Sequence, residues 1–149
     1  MVGPPAPGAS AGTCSFTFKS SEKAFARRTN NLRSSKGLER LRLDPELSRE
    51  ARFHTREMIR AGRLYHTSLA QFRRRVLGWS WIGENVGNGP GVDNLQRTFI
   101  GSPEHYDNLV ARHYRYIGVG VVRHDGLMWV TVQFSAYANP STSLPVCPR

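Results

Sequence analysis

Ser102-Pro103-Glu104-His105-Tyr106-Asp107-Asn108-Leu109 is the stretch from which the fold is read outward. Serine is a favoured N-cap, and proline suits the first helical position, where its missing N–H is no loss. A helix therefore starts here and runs to about Ala111, with His105 in its first turn. The positive end of the helix dipole disfavours imidazolium, so His105 is expected to stay neutral, the form that binds metal or accepts a proton. The plainer alternative is a capping-region histidine with one surface hydrogen bond.

Working upstream, Val92 to Ile100 reads as a helix behind the chain break Asn88-Gly89-Pro90-Gly91. Trp79 to Val86 alternates apolar with small or polar residues, as a strand does. Leu64 to Trp79 is loop with a short helix from Ser68 to Val76. Asp44-Pro45-Glu46 starts a helix that runs to Ala61 and stops at Gly62. Its inner stripe is Leu47, Ala51, His54 and Met58, which points His54 into the core or along a pocket edge; Arg49, Arg52, Arg56 and Arg60 form an exposed basic face opposite. Ser20 to Ser35 carries Phe25, Thr29 and Leu32 at helical spacing, with Ser21 able to cap it and Gly37 able to end it.

Downstream, Tyr116 to Arg123 and Leu127 to Tyr137 are strands joined by the turn His124-Asp125-Gly126. Helices come first and a hairpin last, so the fold class is α+β, a small antiparallel sheet covered by helices. Residues 1–13, rich in Pro, Gly, Ala and Ser, lack the basic and apolar regions of an intact signal peptide and read as a flexible leader. Residues 14–149 read as one domain with a Pro- and Ser-rich tail.

The 149 residues carry 21 Lys+Arg against 11 Asp+Glu, a net charge of +10. That balance favours anionic partners, such as acidic lipid or wall polymers, or is simply a solvated basic surface. No aromatic RNA-binding motif or zinc-finger spacing accompanies it, which weighs against nucleic acid. No apolar run reaches membrane-spanning length. Cys14 and Cys147 bracket the domain with no cysteine between them. This argues against a structural zinc site and for one disulfide, two unpaired thiols being the alternative.

Three polar residues stand out. His66 follows the Gly62 stop in a loop, where a histidine is usually just solvated. Glu84 lies among Trp81, Ile82 and Val86, where a carboxylate needs a partner unless it faces water at a strand end. His105 is the third. Two imidazoles and a carboxylate can bind a divalent metal or do acid–base work.

In order and spacing, Asn30-x-x-Arg33, Gly37-Leu38, Leu64-Tyr65-His66, Gly83-Glu84-Asn85, the Ser102 phrase and Ile117-Gly118-Val119-Gly120 resemble the CAP superfamily, or SCP domain: cysteine-rich secretory proteins, antigen 5 and pathogenesis-related-1 proteins. The resemblance covers roughly Phe16 to Tyr137, and the chain looks like the short bacterial branch. It implies a three-layer α-β-α sandwich, secretion, and a cleft formed by His66, Glu84 and His105, with Ser102 beside it; His54, from the inner stripe of its helix, is a further candidate for the cleft. Where other branches carry a second cleft glutamate, this chain has Ser102.

Three functions follow as expectations. One is a monomeric binding module holding a divalent metal, with zinc as the first candidate, through His66, His105 and Glu84, with a basic surface for anionic lipid, sterol or cell-wall polymer. Another is a metal-assisted, protease-like hydrolase with Glu84 as base and His105 as acid or ligand; no HExxH helix or GxSxG elbow supports it. The last is a structural or interaction domain whose polar cluster ties loops together.

Overall fold

The computed structural model describes residues 14–71, 82–136 and 146–147. Its elements are α1 (Ser20–Ser35), β1 (Arg42–Leu43), α2 (Pro45–Ala61), β2 (Ile82–Gly89), α3 (Val92–Ile100), α4 (Pro103–Val110), β3 (Tyr116–His124) and β4 (Leu127–Ser135). The four strands form one sheet in the order β1-β3-β4-β2. The β3–β4 hairpin turns on Asp125 and Gly126, both with positive φ, as a two-residue turn of that hand requires.

The strand period of two sorts side chains onto two faces. Ile117, Val119 and Val121 of β3 and Met128, Val130, Val132 and Phe134 of β4 pack with Phe25, Leu95, Phe99 and Leu109 of α1, α3 and α4. On the other face, Gly118 and Gly120 let α2 lie directly on the sheet. A Cβ at Gly120 would meet the Arg52 backbone nitrogen at 2.1 Å, and one at Gly118 would meet the Leu47 carbonyl carbon at 2.5 Å. Thr55 of α2 closes the contact, donating to Gly120 O and bonding Thr131 Oγ1 at 2.8 Å. The result is three layers, α2 on one side and α1, α3 and α4 on the other.

Buried polar side chains fix the connections. Asn30 accepts from Leu41 N and donates to Leu41 O. Arg33 donates to the carbonyls of Glu39, Leu109 and Ala111, tying α1 to the end of α4. Cys14 and Cys147 are bonded, 133 residues apart, and Phe16 pairs with Val146 beside them. Closing so long a loop stabilises by roughly 4–5 kcal/mol in the chain-entropy account.

Several expectations are corrected. The sheet is mixed, because the connector after α1 lays β1 parallel to β3: Arg42 N donates to Arg115 O and Asp44 N to Ile117 O. Helix α1 is capped by Glu22, whose carboxylate accepts from Lys19 N, and Ser21 lies inside the helix. Arg52 is drawn off the basic face: its guanidinium grips the fully buried Glu22 at 2.5 and 2.6 Å, bonds Thr17 O and lies over the Phe16 ring. Asn88 and Gly89, expected to break the chain, still belong to β2. Of the short helix expected over 68–76, residues 69–71 are helical, Ser68 precedes the helix, and residues 72–76 lie outside the described residues, as do Trp79–Trp81 and Tyr137.

Candidate functional site around His66, Glu84 and His105

Glu84 sits mid-way along the α2 face of β2, opposite Gln133 of β4. It is 8% exposed, yet its carboxylate is not alone. Oε1 accepts from Thr67 N at 2.8 Å and bonds His66 Nδ1 at 3.0 Å. Oε2 accepts from Thr67 Oγ1 at 2.7 Å and Gln133 Nε2 at 3.0 Å. Burial pushes this carboxyl up, but the bonds from His66, Gln133 and Thr67 more than offset it and hold it below the usual carboxylate range. Four bonds use the acceptor capacity of both oxygens.

His66 follows from that arrangement. A carboxylate can only accept, so Nδ1 carries a hydrogen, and in the neutral ring Nε2 keeps the lone pair; the side chain is 62% exposed. The bond to Glu84 raises the imidazole above its ordinary value, partly opposed by burial. The strap that delivers His66 is held by His54. From the buried stripe of α2, His54 Nε2 bonds Tyr65 O at 2.6 Å, with its ring edge-on to Tyr65 and Glu84 Oε1 4.0 Å away. A carbonyl only accepts, so Nε2 of His54 carries its hydrogen. His54 therefore positions the loop and is itself 2% exposed.

His105 comes from the opposite layer. Ser102 occupies the N-cap position of α4 with extended backbone, although its hydroxyl makes no capping bond. Asn85 donates to His105 O at 3.0 Å, and Asn108 bonds both Asn85 Oδ1 and Glu84 O, which seats the first turn of α4 on the edge of β2. The imidazole leans on Phe99, ring centres 5.1 Å apart, and its Nδ1 is buried without a hydrogen-bond partner among the described residues. Burial lowers its pKa, and the charge of His66 lowers it further. Desolvation thus acts in the same direction as the helix dipole, towards the neutral ring. Glu104 raises both histidines through its charge, so the two rings lie within electrostatic reach of one another.

The predicted ligands do not close into a chelating trio: among the described residues no three of His, Cys, Asp and Glu group as a metal site. Glu84 faces inward to its donors.

A sequence model of the cysteine-rich secretory protein family, CAP, matches residues 26–134, well over half of the chain. The chain belongs to the CAP family. Its sandwich is shared with solved CAP-type structures. The SCP domain of an extracellular protein from Bacillus anthracis has TM-score 0.68 at 22% identity, over 77% of this chain and 40% of that one. An outer surface protein from Borrelia burgdorferi has TM-score 0.70 at 18% identity, over 76% and 90%. NaASP2, solved with Zn2+, has TM-score 0.61 at 14% identity, over 89% and 90%. The chain thus spans well under half the length of the Bacillus protein. No curated protein matches the chain by sequence.

For a CAP domain of extracellular type the Cys14–Cys147 bond is chemically in place. No helix among the described residues is long and apolar enough to cross a membrane. Thr67 and Gln133, not among the residues expected at the site, complete the bonding of Glu84. Gln133 left a signal, a glutamine within a strand whose neighbours are apolar or β-branched. Thr67 left none, because its role depends on where the loop lands.

Proposed function

We propose that this CAP domain is a secreted binding module rather than a hydrolase, with His66 and His105 as the ligand-facing groups of its polar centre. The observation that carries this reading is the state of Glu84. A general base needs a free lone pair aimed at water or substrate, and Glu84 has both oxygens engaged by four donors. It acts on His66, fixing the ring through Nδ1 and leaving Nε2 as the free nitrogen of the neutral form. A carboxylate behind an imidazole is the usual support of a metal-ligating histidine.

Zinc fits this donor set in part. Nε2 of His66 is available in the neutral ring, and burial favours the neutral form of His105, whereas Nδ1 of His105 lacks the acceptor that normally backs a ligating ring. Two imidazoles with water bind zinc more weakly than a closed four-ligand structural site does. The zinc in NaASP2 supports the choice of metal at the level of fold. When bound, the ion would supply a Lewis-acidic anchor for an oxygen-bearing ligand. The net charge of +10 suits an anionic lipid or wall polymer as the larger partner, with sterol as an uncharged alternative.

Calorimetric titration of zinc into the wild type, His66→Ala and His105→Ala tests the metal. Weak binding that falls most in His66→Ala and less in His105→Ala is expected. Equal affinities in all three would remove the site. A substrate screen in which turnover disappears in Glu84→Gln would restore the hydrolase. A purely structural cluster has its own signature: His66→Ala would lower thermal stability equally with and without chelator.

A further inference from the structure

A second polar site lies away from these histidines, in the groove between α1 and α3. Its outer part, about 370 Å³, runs from Ala24 and Arg28 to Pro90–Asn94, at the start of α3. Its inner part, about 330 Å³, is lined by Arg28, Asp93, Gln96, Arg97 and Ile100. Four observations converge on it.

Gln96 forms the floor and is 4% exposed. Its Nε2 donates to Thr29 Oγ1 at 3.2 Å, which leaves Oε1 buried with no donor. Turning the amide exchanges oxygen for nitrogen and still leaves one polar atom without a partner. Arg28 pairs with Asp93 through Nη1, while its Nε is buried and unpaired. The Arg97 guanidinium, exposed on α3, has no partner among the described residues. The N-cap of α3 is Gly91, which has no side chain to offer, so the first N–H groups of the helix face the groove mouth uncapped.

The charges select the ligand. Arg28 and Arg97 against Asp93 leave one net positive charge, which matches a monoanion better than a dianion. Guanidinium forks match carboxylates in two-point geometry. The orphaned amide asks for a hydroxyl, which can donate or accept. We propose that this groove binds an acidic sugar, a uronate whose carboxylate meets Arg28 and Arg97 and whose neighbouring hydroxyl meets the Gln96 amide. The site is independent of the histidine centre and needs no metal.

The test is an NMR titration of the full chain, in chelator, with D-glucuronate, D-glucose, acetate and glucose 6-phosphate. Glucuronate is expected to shift the Gln96 side-chain amide and the Arg28 and Arg97 Nε–H signals together. Glucose and acetate, each lacking half of the recognition, should bind at least about tenfold more weakly. Arg97→Gln and Gln96→Met, with melting curves confirming that each folds, should each weaken glucuronate by about tenfold. Four results would overturn the proposal: acetate as tight as glucuronate, an unmoved Gln96 amide, unchanged affinity in Gln96→Met, or no glucuronate binding. Tighter binding of glucose 6-phosphate would overturn the monoanion assignment.

Discussion

His66 and His105 are chemically identical rings brought near one another from opposite layers of the sandwich, and their surroundings push them apart. His66 sits on an exposed strap with a saturated carboxylate behind it, and its proton affinity rises. His105 lies in the first turn of a helix against Phe99, with Nδ1 buried and unpartnered, and its proton affinity falls. The difference lies in what stands behind each ring. One has a partner that fixes a tautomer; the other has an aromatic wall. A pair built this way has one oriented ligand and one adjustable one, which suits reversible binding better than a rigid metal cage.

The largest expected effect comes from removing the partner behind His66. Glu84→Leu strands the Gln133 amide and both Thr67 donors under the α2 strap, and should cost about 2–4 kcal/mol of stability in chemical denaturation. Glu84→Gln keeps the shape and part of the bonding, so its cost should be about half. If Glu84→Leu is neutral, the network contributes nothing and the comparison fails on the His66 side.

Next comes the strap itself. His54→Phe removes the donor to Tyr65 O and should lower zinc affinity several-fold, while His54→Gln, which can still donate, recovers most of it. Equal losses in the two variants would show that His54 only fills space. On the other side, Ser102→Glu places a carboxylate one turn before His105 and should raise its pKa in an NMR titration. No rise would mean that the two side chains point apart.

The smallest effects are in the pH profile, where the signs differ. The folded pKa of His66 is raised, so its contribution is complete below about pH 6.5 and fades as pH climbs through the folded value. His105 is lowered, so its contribution is complete above about pH 6.5 and fades as pH falls through its folded value. Glu84 is lowered as well, and its contribution fades as pH falls below about 4.5 through its folded value. Melting temperatures across pH should therefore flatten on the alkaline side in His66→Gln and on the acid side in His105→Gln. Identical profiles would contradict the opposed environments.

Much of this fold is carried by local chemistry. Asp44-Pro45 and Gly62 bound α2 because cap, proline and left-handed glycine act within a few residues. The β3–β4 alternation marks both faces of the sheet, and Asp125-Gly126 marks its turn. The parallel β1 pairing was not legible, since two residues carry no period and the partner is more than seventy positions away. Nor was the withdrawal of Arg52, because an arginine at a surface position reads as solvated until Glu22 is known to lie beneath it. In the site, the identities of His66, Glu84 and His105 stood out by residue type and order. Their division of labour did not, because only the register that sets Glu84 against Gln133 and the landing of Thr67 reveal that the carboxylate is already occupied.

The most direct test of the central claim is the tautomer of each histidine, read from long-range 15N–1H correlations at neutral pH before and after zinc. The account predicts that His66 holds its hydrogen on Nδ1 and that zinc perturbs Nε2 of that ring first, with Glu84 unchanged. A His66 protonated on Nε2, or zinc bound with loss of the Glu84–His66 hydrogen bond, would contradict it.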